Sequence, residues 1–399
     1  MGKIIYNKAF QKEVELPITA GEFGIQWDQP NDTVTRLGDG VGLTAGSDFT
    51  ALGDEGVWNL RRCMVNDDLS INYYIDPTDP TKIGEVVNTG DYTTGGTANY
   101  TGSHGQVMVE IPKFYWKHEE PSSNVYQWWV SPIEFDANYE VHPSFITGST
   151  TKDFIYMSAF EGNVSSNVMR SISGVQPSTD TNVSGGTINN FRSYAQARGT
   201  GWQMQTYWGT HALQVLYSVE YANFDSQTTI GQGIVNKASG SGNESENTGA
   251  TISLGNTSGA ASGTDGLVSI SYRGVENFWG NIFKWVDGIN RNGSEVFVAN
   301  ENFASDVFSG SYTLLTDNIL SGTRDFPTNI TFPHFFMSAS GGSSTSHLHD
   351  RHDFRNTGDR VALFGGDWSF GLLAGAFFWN LRDVSSLANR DNGSRLQIL

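Results

Sequence analysis

The densest run of chemically capable side chains in this 399-residue chain is "HLHDRHD" at 347–353, which sets His347, His349 and His352 beside Asp350 and Asp353. Imidazole with carboxylate is a ligand set for zinc or nickel, and in an extended stretch His347 and His349 share one side. No further ligand can be identified by spacing, so the expectation is a solvated, His-rich loop, and no metal or other cofactor is assigned. Asp353 and Asp359 are conceivable hydrolase carboxylates, yet nothing in the sequence fixes their separation. Cys63 is the single cysteine, which excludes an intramolecular disulfide and a thiolate zinc cage. No catalytic residue is assigned, and the chain reads as a non-enzyme.

The formal charge of -18 and a pI near 4.7 exclude the usual route to nucleic acid. Such affinity comes largely from Lys and Arg neutralising phosphates. The first residues, Met1-Gly2-Lys3-Ile4-Ile5-Tyr6-Asn7, hold no signal-peptide core, and no apolar run reaches membrane-spanning length. The expectation is synthesis in a cytoplasm without a signal peptide and without membrane insertion. A virion component released by lysis fits that.

The elements that must position any site read as β-rich with two helices. "VMVEIPKFYW" (107–116), "VYQWWVSPI" (125–133) and "DFIYMSAFEG" (153–162) show the near-alternation of strands. Asn189–Arg198 is expected to form a short helix. Tyr207–Tyr221 is expected to form a longer one, with Ala212, Val215, Leu216 and Val219 as a single buried stripe. Residues 236–266 are rich in Gly, Ser, Asn and Thr and are expected to be a surface insertion, as is a second polar stretch near 291–358. Residues 1–104 read as a small β-rich N-terminal unit, and 105–399 as a second domain.

Three blocks, "VMVEIPKFYW", "GNIFKWVDG" and "RVALFGGDW", occur in the order and with the character of the formylglycine-generating-enzyme-like branch of the C-type lectin fold. The last block resembles, more narrowly, the variable segments of diversity-generating retroelement proteins, the family of phage tropism determinants and prophage tail proteins. Their frame runs from Gly-Gly-Asn-Trp to Asn-Ile-Gly-Ser/Ala-Arg. Here it stands as Gly365-Gly366-Asp367-Trp368, Ala374 to Asn380, and Asn392-Gly393-Ser394-Arg395. Asp367 replaces the usual Asn, and Arg390-Asp391 replace residues that are often small. In that family rewritten codons cannot yield Lys, Glu, Gln, Met or Trp. Between Asp367 and Arg395 the first four are absent, and Trp368 and Trp379 sit at frame positions.

The resemblance implies an α+β chain with a C-type lectin-like fold and a variable segment at 365–396. Its implied framework is Gly365, Gly366, Trp368, Trp379, Gly393 and Arg395. Its implied ligand-binding surface is Asp367, Ser369, Phe370, Leu372, Leu373, Phe378, Asn380, Arg382, Asp383, Leu387, Asn389, Arg390 and Asp391, a mixture of apolar and charged groups such as interfaces carry. The implied partner is a bacterial cell-surface protein or glycan. Residues 1–104 would attach to other tail proteins, the assembly would be a homotrimer, and the location a virion tail tip or fibre. The alternatives are a diversified ligand-binding protein of a bacterium and a structural tail protein without receptor contact. Oxidase chemistry is excluded because Cys63 lies outside the matching region. In the middle block Lys284 replaces an acidic residue familiar in the enzyme branch. Asp287 beside Asn281 is therefore expected to be a hydrogen-bonded structural residue rather than part of a cation site.

Overall fold

A computed structural model describes residues 5–7, 12–14, 21–53, 56–320, 322–355 and 357–399. The chain is mostly strand. A five-stranded antiparallel sheet runs in the spatial order Glu140–Val141, Tyr115–Ser122, Val125–Ser131, Phe23–Asp28, Thr33–Gly38. A seven-stranded sheet runs Trp202–Met204, Leu396–Ile398, Phe154–Ser158, Gln106–Pro112, Arg61–Val65, Ile71–Ile75, Ile83–Val86. The strand expected over 107–116 is interrupted at Lys113-Phe114, where the chain passes from the second sheet to the first.

These pairings correct the expected boundary at residue 104. Val125–Val130 pair residue by residue with Phe23–Asp28, and Arg61–Val65 pair with Gln106–Glu110. A strand's backbone groups must be paired where they are buried. Two sheets built from both sides of residue 104 therefore form one body rather than two units.

The short helix spans Ile188–Gln196. Thr187 opens it, its hydroxyl accepting the Asn190 amide while the Asn190 side chain reaches back to the Thr187 amide, a reciprocal cap. The longer helix occupies Tyr207–Tyr221 as expected and is capped by Thr206. It is not amphipathic, however, since every residue from Tyr207 to Glu220 is buried. A helix covered all round must satisfy its polar side chains internally. Gln214 donates to the Ala376 carbonyl at 2.8 Å, Ser218 to the Gln214 carbonyl at 2.7 Å, and Glu220 takes both arms of Arg273 at 2.7 Å. No helix among the described residues is long and apolar enough to cross a membrane.

Of the two expected insertions the second is corrected. Residues 236–266 are poor in bulky apolar groups and run mostly as half-buried or exposed loop, held in place by hydrogen bonds. Glu276 accepts from the Gly249 and Thr251 amides at 2.7 Å each, and Arg62 donates to the Thr251 carbonyl at 3.0 Å. Residues 291–358 supply strands of a third sheet, in the order Thr313–Thr316, Glu295–Val298, Phe283–Asn292, Asp359–Phe364, Trp379–Asp383, His352–Phe354, Arg324–Asp325. They also bring Phe335, Phe336, Met337 and Leu348 into the core.

Candidate functional site

The C-terminal segment begins where the strand Asp359–Phe364 ends in two consecutive left-handed glycines, Gly365 and Gly366, at φ +89 and +84. A Cβ on Gly366 would stand 2.5 Å from that of Ala374, so only glycine admits this close return of the chain. Trp368 follows, 1% exposed, its carbonyl accepting the Lys237 amide at 2.7 Å. The turn Gly371–Leu373 is tied by its Gly371 amide to the Val235 carbonyl at 2.8 Å, and Gln227 donates to the Gly371 and Ala374 carbonyls. The chain re-enters the sheet as Trp379–Asp383, with Trp379 fully buried against Phe364, Phe336 and Tyr207.

At the far end Gly393 lies against Ser178, where a Cβ would meet the carbonyl oxygen at 2.4 Å. Arg395 is fully buried, and its guanidinium donates to the carbonyls of Ser158, Glu276 and Asn277 at 2.8–3.0 Å. Burial lowers its pKa to about 10, so it stays charged at neutral pH. All six framework positions are thus buried.

Between them the display positions divide. Ser369, Leu372 and Asn389 are exposed, and Phe370, Leu373, Arg382, Asp383, Leu387, Arg390 and Asp391 are half-buried. Three expected surface residues are corrected. Phe378 is fully buried, its ring 4.9 Å from Phe370 and 5.7 Å from Phe283. Asn380 is 6% exposed, its amide donating to Asp383 at 2.7 Å. Asp367 is 5% exposed, with one carboxylate oxygen accepting the Ser369 amide at 2.7 Å and hydroxyl at 3.0 Å. Each is turned inward because the neighbouring strands and loops cover that side of the segment.

Asp367 and Asp391, far apart in the segment, come close enough to affect each other's ionisation. Burial first, and the facing Asp367 charge second, push the Asp391 carboxyl up to about 7, while burial also raises Asp367. Two carboxyls this close cannot both ionise cheaply. Arg390 bends over Trp368, 6.0 Å from the ring centroid, and donates to the Ser239 hydroxyl at 2.8 Å.

The "HLHDRHD" run does not converge. The His347 amide donates to Asp32, His349 Nδ1 faces the Ser344 carbonyl at 3.2 Å, and Asp350 accepts the Phe377 amide at 2.7 Å. His352 is buried, accepting from the Met337 amide and donating to the Phe377 carbonyl at 2.7 Å. Among the described residues no group of three or more His, Cys, Asp or Glu could hold a metal ion. Asp353 and Asp359 lie two strands apart, separated by Trp379–Asp383. Asp287 is gripped by Arg192 through two bonds of 2.6 and 2.8 Å. Asn281 donates to Glu161, which also pairs with Lys284 at 2.9 Å. These middle-block groups are structural ion pairs and hydrogen bonds.

Sequence reasoning missed Arg324, Arg351 and Asp353 as neighbours of the display positions. Arg351 lies over the Phe370 ring at 4.8 Å, and Asp353 sits 4.0 Å from Arg382. The signal was present in "HLHDRHD" as an Arg two residues before an Asp, but the histidines beside them drew the reading toward metal.

No protein-family model matches the chain, and no curated protein matches it. Solved structures similar to it include the Major Tropism Determinant M1, P3c and U1 variants. Each has 12% identity and a TM-score of 0.30, and the match covers 90% of this chain and 73% of that chain.

Proposed function

We propose that this chain is a receptor-binding protein of a phage or prophage tail, carrying a C-type lectin-like domain whose C-terminal segment displays interchangeable side chains to a bacterial surface molecule. The observation that carries this reading is the separation of roles within residues 365–395. Gly365, Gly366, Trp368, Trp379, Gly393 and Arg395 are buried and fix the backbone, while Ser369, Leu372 and Asn389 stand in solvent between them. Leu372 is 55% exposed, and an apolar side chain displayed beside polar and charged neighbours is what an interface uses. A rigid frame lowers the ordering cost of binding and lets surface residues change without unfolding the domain.

The sequence resemblance adds a diversified origin, a tail location and trimeric display. Three weak sites would then bind by avidity. The test is adhesion. Changing Ser369, Leu372 and Asn389 together to Ala leaves the melting temperature within about 1 °C, because surface substitutions move stability little, and abolishes adhesion to susceptible cells. Undiminished adhesion by that triple variant defeats the display reading. Light scattering of the purified chain checks the trimer.

A further inference from the structure

Beside the displayed segment, three arginines surround one carboxylate. Asp353 has a side chain only 3% exposed, and Arg351 reaches it at 2.8 and 3.1 Å. Arg324 reaches it at 3.1 and 3.2 Å. Three of these four contacts fall on Oδ2, while Oδ1 meets only the Arg351 Nε and has no aligned hydrogen bond. The third, Arg382, comes no closer than 4.0 Å to Asp353 and 4.0 Å to Asp383. Asp383 has already given Oδ2 to the Asn380 amide at 2.7 Å. The Arg382 Nε is buried without an acceptor, and its guanidinium is held by charge alone.

The cluster therefore carries three positive charges against two negative ones, in a chain whose net charge is -18. Its positive excess sits at the edge of the display surface. Arg324 has 52% of its side chain exposed, and the Phe370 ring under Arg351 gives the site an apolar border. A guanidinium is a planar fork that recognises a carboxylate through two parallel hydrogen bonds. Arginine flanked by aromatic and aliphatic side chains is also the composition of binding hot spots between proteins.

We propose that Arg382 anchors a carboxylate on an acidic segment of the partner protein, with Arg324 as a second donor and Phe370 as the apolar flank. This rests on the receptor-binding reading above and names the chemistry of the partner. The probe is a fluorescent peptide of glutamate and leucine, titrated with the full chain at near-physiological salt and read by anisotropy.

Wild type binds the peptide despite its own negative charge. R382A weakens binding about tenfold or more, the loss expected for an arginine that anchors an interface. R382K gives an intermediate loss, because it keeps the charge and loses the fork. The melting temperature of R382A stays at the wild-type value, since no hydrogen bond of the fold is removed. Absence of peptide binding, or equal binding by R382A, overturns the proposal. A uronate polysaccharide that binds in place of the peptide, with the same loss in R382A, overturns the assignment to a protein. If the Ser369, Leu372 and Asn389 variant still loses adhesion while the peptide test fails, only the acidic anchor falls and the display reading stands.

Discussion

Replacing Phe378 by Ala should destabilise the fold measurably, whereas replacing Leu372 by Ala should not, although the two residues lie six apart in one segment. Phe378 is 0% exposed and packs between Phe283 and Phe370, whereas Leu372 is 55% exposed. Truncating a fully buried Phe costs about 3–5 kcal/mol, the lost transfer energy plus the cavity left behind. An unfolding entropy of about 2.1 cal/mol/K per residue gives a chain of this length about 0.8 kcal/mol/K, so that cost lowers the melting temperature by about 4–6 °C. Leu372→Ala should cost less than about 0.5 kcal/mol, under about 1 °C. Calorimetry of the two variants beside wild type measures both shifts. A Phe378→Ala protein melting within a degree of wild type, or a Leu372→Ala protein falling as far as Phe378→Ala, refutes the division of the segment into buried frame and exposed display.

The Asp367–Asp391 pair makes stability depend on pH. Asp391 has its folded pKa raised to about 7, so the folded state holds a proton that the unfolded state has lost. Its contribution is present at acid pH and lost as pH rises from the ordinary aspartate value to about 7. Asp391→Asn should therefore raise the melting temperature more at pH 8 than at pH 4, and a uniform shift at both would contradict the raised Asp391 pKa. His352 acts in the opposite direction. Burial lowers its pKa to about 3, so stability is lost as pH falls below the unfolded value near 6.5, by about 1.4 kcal/mol per pH unit. Urea titrations of wild type and His352→Gln should converge by that slope between pH 6 and 5, and parallel curves would count against it. Gly366→Ala, with a Cβ 2.5 Å from Ala374 at φ +84, should yield little soluble protein. Ordinary expression would mean that the turn relaxes at small cost.

The sequence determined by itself what depends on neighbours along the chain. The Tyr207–Tyr221 helix follows from the helical spacing of Ala212, Val215, Leu216 and Val219, and the strands over 125–131 and 154–158 follow from alternation. The buried glycines and tryptophans of the C-terminal frame were legible through a family-like pattern. Asp287 was also read correctly as a hydrogen-bonded residue, although its partner Arg192 was not foreseen.

Only the tertiary structure decided which faces are covered. Nothing local to Phe378, Asn380 or Asp367 says that other strands and loops lie over them, and nothing local to residue 104 says that Phe23–Asp28 pairs with Val125–Val130. The all-round burial of the long helix has the same origin. So does the scattering of "HLHDRHD", in which Asp350 and His352 serve the core while Asp353 gathers three arginines. Periodicity records the conformation of a segment, because each residue's backbone preference is set within a few bonds. Burial, charge pairing and the identity of a surface are fixed only when segments distant in sequence meet.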